Sequence, residues 1–429
     1  MHARNPYREP PDFQALADAY PPLQQHIIAT ANGSSIDFKD EASQRRLTEA
    51  ILHRDFGLTL ELPPNRLCPP VPNRLNYILW LEDIVEASSL AIRPDDRVHP
   101  VRGLDIGTGA SAIYPLLGCS LHPNWTFAGT DVDETSLEYA RYNVRANGLQ
   151  DRISVVRADK EGPMLLPMFQ SHVNYDFVMC NPPFYSSRED VAQSAAAKEL
   201  GPNAVCTGAD VEMITDGGET AFVGRMVEES LALKDRCRWY TSMLGKMSSL
   251  KHIVQTLRDS KVDNYAVAEL VQGQTRRWII AWSFEDVRLP DSLARLSHPG
   301  LQNIMPARNT LKQRLPPTAD DAQLPVTVSD IICSVEGLVV DHGAAEAPVL
   351  DLIVSASGDV WSRAARRKRQ KEMQVEEVAA IEVRMTCRIR IEAGCLVFDW
   401  VKGRERGVFE SFASHIERKV ASAMTHDMH

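Results

Sequence analysis

The run Arg102-Gly-Leu-Asp-Ile-Gly-Thr-Gly-Ala-Ser-Ala112 decides how the rest of the chain is read. Arg102 to Ile106 has the apolar character of a short strand, and a helix is expected to open after the glycines. Gly107 and Gly109 allow a tight turn and let a bound group approach backbone where a side chain would clash. A strand that passes through such a turn into a helix is the ligand-binding corner of doubly wound α/β sheets, whose ligands lie beyond the carboxyl ends of the strands. The run also satisfies G-x-G-x-x-A, so a dinucleotide site and a merely structural turn both stay open at this point.

Outward from this corner, short apolar runs alternate with helical ones. Trp125 to Val132, Ile153 to Val156 and Tyr175 to Cys180 read as strands, and Glu134 to Asn147 reads as a helix stopped by Gly148. Further strands are expected at Trp239 to Leu244, Tyr265 to Val271 and Arg277 to Phe284. The alternation implies a doubly wound, largely parallel sheet. Asp131 ends the second apolar run, where a carboxylate can accept hydrogen bonds from both hydroxyls of a ribose. S-adenosylmethionine and NAD share that requirement, and an exposed helix-capping acid would look the same.

The motif that separates the two cofactors is Asn181-Pro-Pro-Phe184, directly after the strand Tyr175 to Cys180. Two prolines stiffen the backbone, so a neighbouring carbonyl cannot swing away. The Asn181 side-chain oxygen and the Pro182 carbonyl can then accept both hydrogens of one planar amino group. Phe184 offers a face for the base, a contact of about 1–3 kcal/mol in single-strand binders. An adenine amine is a poor nucleophile because its lone pair is delocalised; two acceptors favour a pyramidal nitrogen and free that pair for attack on a sulfonium methyl. Such sites need the base out of its stack or single-stranded. The same motif class serves methyltransferases acting on DNA amino groups and on the glutamine amide of release factors.

Before the sheet, residues 1–97 form a Pro-punctuated region. Helices are expected over Arg45 to Leu60, ending near Gly57, and over Leu75 to Ser88, with Cys68 to Pro72 as a stiff connector. Residues 98–285 make the catalytic core, and 286–325, rich in proline, read as a linker. Residues 326–429 read as a small α+β domain. Its strands are expected at Val326 to Val340, Val349 to Ala356, Ile381 to Glu392 and Leu396 to Val401. Its closing helix carries Val408, Phe409, Phe412, Ile416 and Val420 on one face.

Composition sets the outer limits. The chain has 429 residues, 44% hydrophobic and 24% charged, enough for two or three domains with their own cores. No stretch approaches the roughly 20 uncharged apolar residues of a membrane span, and the start lacks a secretory h-region, so a soluble intracellular protein is expected. Eight scattered cysteines and 12 dispersed histidines show no ligand spacing, so reduced core thiols are expected and a metal is not. A net charge of −10 argues against coating nucleic acid by bulk charge. Arg363 to Lys371, with six basic residues and no acid, is a local exception.

Together, MHARN at the start, Phe38-Lys-Asp40, Arg54 to Leu58, Val71 to Tyr77, Asp105 to Gly118, Cys180 to Phe184, Arg238-Trp-Tyr240, Met243 to Lys246 and Arg277 to Phe284 resemble the methyltransferase-like protein 16 family. The resemblance runs in order over residues 1 to about 285. It implies a Rossmann-like class I methyltransferase sheet with an N-terminal helical extension. It also implies S-adenosyl-L-methionine as cofactor and N6-methyladenosine in U6 spliceosomal small nuclear RNA as product. By position it places cofactor contacts on Arg74, Gly107, Ser111, Asp131 and Asn181, to which the strand-turn motif adds Asp105 and Gly109, and catalysis on Asn181, Pro182, Pro183 and Phe184. Where Asp131 stands the family commonly has glutamate. Arg157 to Gly162, opposite the family's gating loop, matches poorly, and Lys160 is assigned no autoinhibitory role. Ser186 to Gly217, around Thr207-Gly208, corresponds to a substrate loop and is divergent.

The resemblance further implies an RNA-binding groove at Arg4, Arg8, Arg276 and Arg277. It suggests a kinase-associated-1-like RNA-binding domain at the C-terminus, where Arg363, Arg366, Arg367, Lys368 and Arg369 would meet phosphates; a nuclear localisation signal or a solvated helix face is the other use of that run. A monomer acting on structured RNA in the nucleus, with the cytoplasm as second compartment, is expected. The rivals are an amino-group methyltransferase on ribosomal RNA, DNA or protein glutamine, and, from another class, a non-catalytic RNA-binding assembly factor.

Overall fold

The computed structural model describes residues 1–31, 33–92, 100–196, 208–272, 275–315, 324–342, 350–363, 365, 367 and 382–426. The chain divides into two compact units. The first comprises Met1–Asp83, Val98–Glu285 and Leu296–Met305, and the second Ile84–Arg97, Asp286–Arg295 and Pro306–His429.

The expected strands of the first unit form β1 (Val101–Ile106), β2 (Trp125–Asp131), β3 (Ile153–Arg157), β4 (Tyr175–Cys180), β5 (Cys237–Leu244), β6 (Tyr265–Gln272) and β7 (Thr275–Trp282). They make one sheet in the order β3-β2-β1-β4-β5-β7-β6. The first five are parallel, while β7 runs antiparallel to both β5 and β6. Gln272 pairs with Thr275, and so short a connection can only return antiparallel. Strand order reverses between β1 and β4. The crevice of a doubly wound sheet opens there, and the ends of β1, β2 and β4 deliver Gly107, Asp131 and Asn181 to it.

Ahead of the sheet lie α1 (Glu41–Phe56) and α2 (Val71–Ser89). Asp40 caps α1 by accepting from the Ser43 amide, and Gly57 stops it at φ 64°. Within the sheet follow α3 (Ile113–Leu121), α4 (Glu134–Ala146), the single turn α5 (Asp210–Met213), α6 (Gly218–Leu233) and α7 (Met247–Asp259). Helices α6 and α7 cover one side of the sheet, where Val223, Val227, Leu250 and Val254 bury against Val178, Tyr240, Val267 and Ile280. Trp282, fully buried there, donates its indole N–H to Ser230 Oγ at 2.9 Å, so the ring enters the core without an orphaned donor.

Of the linker expected over 286–325, the described part 286–315 is packed structure, and 316–323 lie outside the described residues. Pro299–Ile304 forms a 3-10 turn whose Leu301 and Ile304 join the core of the first unit, and Thr310–Arg314 forms β8 of the second sheet. Proline there sets turns between packed pieces, and the low periodicity reflects pieces too short to show a period. The second unit therefore draws on residues before the expected boundary at 326.

Its sheet has the order β8-β12-β11-β10-β9, all antiparallel, with β9 (Leu338–His342), β10 (Asp351–Ala356), β11 (Met385–Glu392) and β12 (Cys395–Gly403). Val326 to Val340, expected as strand, is instead helix α8 (Leu324–Cys333) followed by β9. Its β-branched residues carry strand propensity, but Val328 and Ile332 lie one helical turn apart and both bury, and that packing decides. The closing helix α9 (Arg406–His426) places Phe409, Phe412, Ile416 and Val420 on Phe398, Trp400, Met385 and Ile389. Cys68, Cys119, Cys180, Cys237 and Cys387 are buried, but Cys333 is exposed and Cys395 half-buried, outside the expected core set; Cys206 lies outside the described residues. Among the described residues, no helix is long and apolar enough to cross a membrane.

Leu301→Ala should lower full-chain stability by about 2–5 kcal/mol in denaturant unfolding, as for a core leucine. A linker leucine would leave the midpoint unchanged.

Candidate active site

The chain leaves β1 through Gly107 and Gly109, at φ 70° and 65°, conformations that cost other L-residues energy. The amides of this turn are already committed. Thr108 N donates to Thr130 O and Gly109 N to Asp131 Oδ2, each at 2.9 Å. A pyrophosphate needs a nest of free amides, and this turn does not offer those two. Asp131 also accepts from the Asp133 amide at 2.9 Å, which locks its carboxylate at the end of β2. Burial raises its pKa, and the two amides oppose the rise.

Beneath the turn lies Asp105, fully buried, with neither carboxylate oxygen hydrogen-bonded among the described residues. Its pKa is pushed up to about 7, chiefly by burial and further by Asp131, while Thr108 and Arg74 pull it back. Arg74 projects from α2, donates to the Tyr114 hydroxyl at 3.2 Å and lies 5.6 Å from that ring's centre. Ser111 is buried just ahead of α3. Glu212 on α5 adds a third carboxylate near the turn. It accepts from the amides of Leu67 and Ala209 at 3.0 and 2.9 Å, and burial raises its pKa.

A buried carboxylate, a half-buried second, a nearby third and one guanidinium suit a ligand that is cationic at its centre and carries a carboxylate at one end. S-adenosylmethionine is such a ligand, with a sulfonium, an ammonium, a carboxylate and a ribose diol. A dinucleotide would bring two phosphate charges to the acids instead. Asp105, Asp131, Arg74 and Ser111 therefore fit S-adenosylmethionine, and the dinucleotide alternative does not.

The second half of the site follows β4. Asn181 is half-buried, and its Oδ1 is inaccessible yet has no partner among the described residues, which leaves an acceptor available. Pro182 is buried, and Pro183 and Phe184 are half-buried. Phe184 packs so closely on Gly245 that a Cβ there would lie 3.1 Å from its ring. Glu219, 2% exposed, supports that turn by accepting from the amides of Gly245 at 2.6 Å and Lys246 at 2.9 Å. Past Phe184 the chain is pinned again, with Tyr185 N on Met213 O and Thr215 N on Tyr185 O, both at 3.0 Å.

The structure redistributes the expected RNA contacts. Arg277 is no bare surface charge: its guanidinium carbon lies 4.8 Å from the Phe184 ring centre. Burial lowers its pKa, helped by Arg74 and opposed by Tyr185 and Glu219. A planar cation thus already stacks on the ring expected to hold a planar base. Arg276 pairs with Glu269 at 2.7 Å, and Arg4 with Glu82 at 2.9 Å and also with Asp83. Arg8 is exposed, as are Arg363 and Arg367; Arg366, Lys368 and Arg369, like Thr207, lie outside the described residues. The loop at Arg157 to Gly162 is held by Arg225, which donates to the carbonyls of Lys160 and Gly162. Glu212, Glu219, Gly245 and Tyr114 were not singled out by sequence, because each acts on residues remote in the chain and belongs to no local pattern.

Fold and site together define a class I S-adenosylmethionine-dependent methyltransferase. A family model for RNA methyltransferases matches residues 1–286, and this chain belongs to that family. Over 400 residues it is 37% identical to the U6 small nuclear RNA (adenine-(43)-N(6))-methyltransferase of Schizosaccharomyces pombe, covering 92% of this chain and 98% of that protein. It is 43% identical to human RNA N(6)-adenosine-methyltransferase METTL16, over 68% of this chain and 52% of that protein. Among solved structures, the human METTL16 catalytic domain in complex with the MAT2A 3'UTR hairpin 1 matches with TM-score 0.60 and 44% identity, covering 67% of this chain and 96% of that one. The N-terminal domain of human METTL16 in complex with SAH matches with TM-score 0.55 and 42% identity, covering 67% and 98%.

The Asp105 carboxyl binds its proton more tightly folded than unfolded. Between about pH 4, where an unfolded aspartate titrates, and about 7, the folded state keeps a proton that the unfolded state has lost. Its contribution to stability therefore falls as pH rises through that window. In cofactor-free protein, the melting temperature of wild type relative to Asp105→Asn should drop from pH 5 to pH 8 on this basis. A difference independent of pH would contradict this account.

Proposed function

We propose that this protein transfers the S-adenosylmethionine methyl group to the N6 nitrogen of an adenosine in U6 small nuclear RNA, acting as a monomer in the nucleus. The observation that carries the reading is the inaccessible Oδ1 of Asn181 at the end of β4, without a partner among the described residues and set beside a supported aromatic ring. Relatives named for adenine-N6 methylation of U6, one of them spanned over almost its whole length, support the substrate. The human relative's structure with an RNA hairpin supports a structured target.

In this reading the adenine stacks on Phe184, which draws it out of its own helix. Asn181 Oδ1 and the Pro182 carbonyl accept the two amine hydrogens and hold the nitrogen where its lone pair points away from the ring. Pro182 and Pro183 keep both acceptors from retreating as the nitrogen changes geometry. Arg74 holds the cofactor's carboxylate, Asp131 its ribose hydroxyls, and Asp105, in its ionised form, faces the cofactor's positive end. When bound, the cofactor supplies an electrophilic methyl carbon on a sulfonium. Arg8 and the basic run that includes Arg363 and Arg367 supply phosphate contacts that position RNA without reading it.

Asn181→Ala should abolish methyl transfer, at least a hundredfold in kcat, while RNA affinity stays within about threefold. Phe184→Ala should cripple transfer and Phe184→Tyr retain part of it. Labelled cofactor offered with separate RNA, DNA and protein pools reads the substrate class. Mapping methylated adenosines in RNA from cells with and without the protein reads the site. Label entering DNA or protein, or an unchanged U6 adenosine, would overturn the reading.

A further inference from the structure

Arg74 and Tyr77 lie three residues apart on α2 and so share one face of the helix. Arg74 reaches the Tyr114 hydroxyl, and Tyr77 meets the Tyr114 ring edge-on, with centroids 5.7 Å apart. The Tyr77 side chain is inaccessible to solvent, and its hydroxyl lies 2.7 Å from Thr241 Oγ1 on β5. Thr241 in turn donates to Val178 O on β4 at 2.7 Å, and the Cys180 amide points at the Tyr77 oxygen from 3.5 Å.

Counting protons assigns every role in this cluster. The Thr241 hydroxyl has one proton and gives it to Val178 O, so Tyr77 must be the donor to Thr241. The Tyr77 oxygen is then left to accept from Cys180 N–H. The chain thus passes from Tyr77 through Thr241 to the Val178 carbonyl, and back from the Cys180 amide to Tyr77. It brackets Met179, two residues before Asn181.

The location of this bracket matters. Pairing between β4 and β5 ends at Val178 with Tyr240, whereas on its other edge β4 stays paired with β1 through Cys180 with Ile106. The last two residues before Asn181 therefore have ladder support on one side only. On the β5 side a tyrosine hydroxyl from α2 stands where the ladder stops.

We propose that Tyr77 is a positioning residue for methyl transfer: through Thr241 and the Cys180 amide it fixes the end of β4, and so sets where the Asn181–Phe184 acceptors stand relative to the cofactor held by Arg74 on the same helix. The inference rests on the function proposed above. Burial lifts the Tyr77 pKa well above its ordinary value, so the hydroxyl keeps its proton throughout any assay range, and its role leaves no titration of its own in the pH–rate profile.

The test is Tyr77→Phe in the full chain, with kcat, KM for RNA and S-adenosylhomocysteine affinity measured well below the melting temperature. Misplaced reacting groups cost kcat, so a loss of about tenfold or more is expected, with KM and cofactor affinity within about threefold and an unchanged pH–rate profile. Tyr240→Phe is the matched control. Its hydroxyl, on the adjacent residue of the same strand, donates to Lys234 O at 3.0 Å, among the helices on the opposite face. That variant should lose comparable stability yet keep kcat within about twofold. Thr241→Ser should keep kcat; Thr241→Val should lose it, and combining it with Tyr77→Phe should add little further. If Tyr77→Phe does not fold, the Ser and Val pair at 241 decides by the same criteria. Wild-type kcat in Tyr77→Phe, an equal loss in Tyr240→Phe, or a loss carried wholly by KM would overturn the proposal. An inactive Asn181→Ala beside a fully active Tyr77→Phe would refute this inference alone, whereas an active Asn181→Ala would refute the reading beneath it.

Discussion

The rigid departure of the chain from β4 is the constraint on which the rest of the site depends. Methyl transfer from sulfur to a weakly nucleophilic nitrogen asks little of proton chemistry and much of alignment. Two consecutive prolines remove two backbone torsions just where the acceptors stand, but stiff links transmit a position only if both ends are held. β1 and the Tyr77–Thr241 pair hold one end, and the pairing of Tyr185 with Met213 and Thr215 holds the other. Phe184 lies between them on Gly245, where a side chain would press tightly on its ring, and the Glu219 carboxylate keeps that glycine turn in place. These supports come from α2, from β1, from residues 213–219 and from the end of β5 with the turn after it.

The charge arrangement follows a similar logic. A fully buried carboxylate with no well-formed hydrogen bond among the described residues, as at Asp105, weakens the fold, because burial penalises the ionised form. Such a cost is stored at sites where a bound cation can offset it. Asp131 shows the complementary solution: two backbone amides hold its carboxylate steady at the end of its strand. The same bonds consume amides that a pyrophosphate would need, so the Gly-Thr-Gly turn resolves toward a sulfonium cofactor although its sequence fits either.

Arginines expected on an RNA groove proved to differ in kind. Arg4 and Arg276 spend their charge on neighbouring carboxylates, and exposed pairs of that sort contribute little to stability and yield readily to phosphate. Arg277 is held over Phe184, among Tyr185, Glu219 and Arg74, which makes it part of the reaction centre's wall. Nothing in the string Thr-Arg-Arg-Trp distinguishes Arg276 from its neighbour. Alternation along β7 turns the two side chains to opposite faces, and only the packed sheet shows which face meets Phe184.

Sequence by itself determined what is local: the strand-turn-helix at Gly107, the carboxylate ending β2, the proline-stiffened Asn181–Phe184 segment, the α1 stop at Gly57 and the apolar face of the closing helix. Periodicity, backbone-restricting residues and motif order carry that information within a few residues of chain. It misread 286–315 as part of a linker and Val326 to Val340 as strand, because short packed pieces and β-branched helices take their state from what they bury against. Tertiary structure alone decided which amides the glycine turn has left to give, which ring Arg277 covers, and that Tyr77 reaches across to β5. Those facts depend on groups that meet across separations from 22 residues at the glycine turn to 164 between Tyr77 and Thr241, where no spacing rule operates and only the fold brings the partners together.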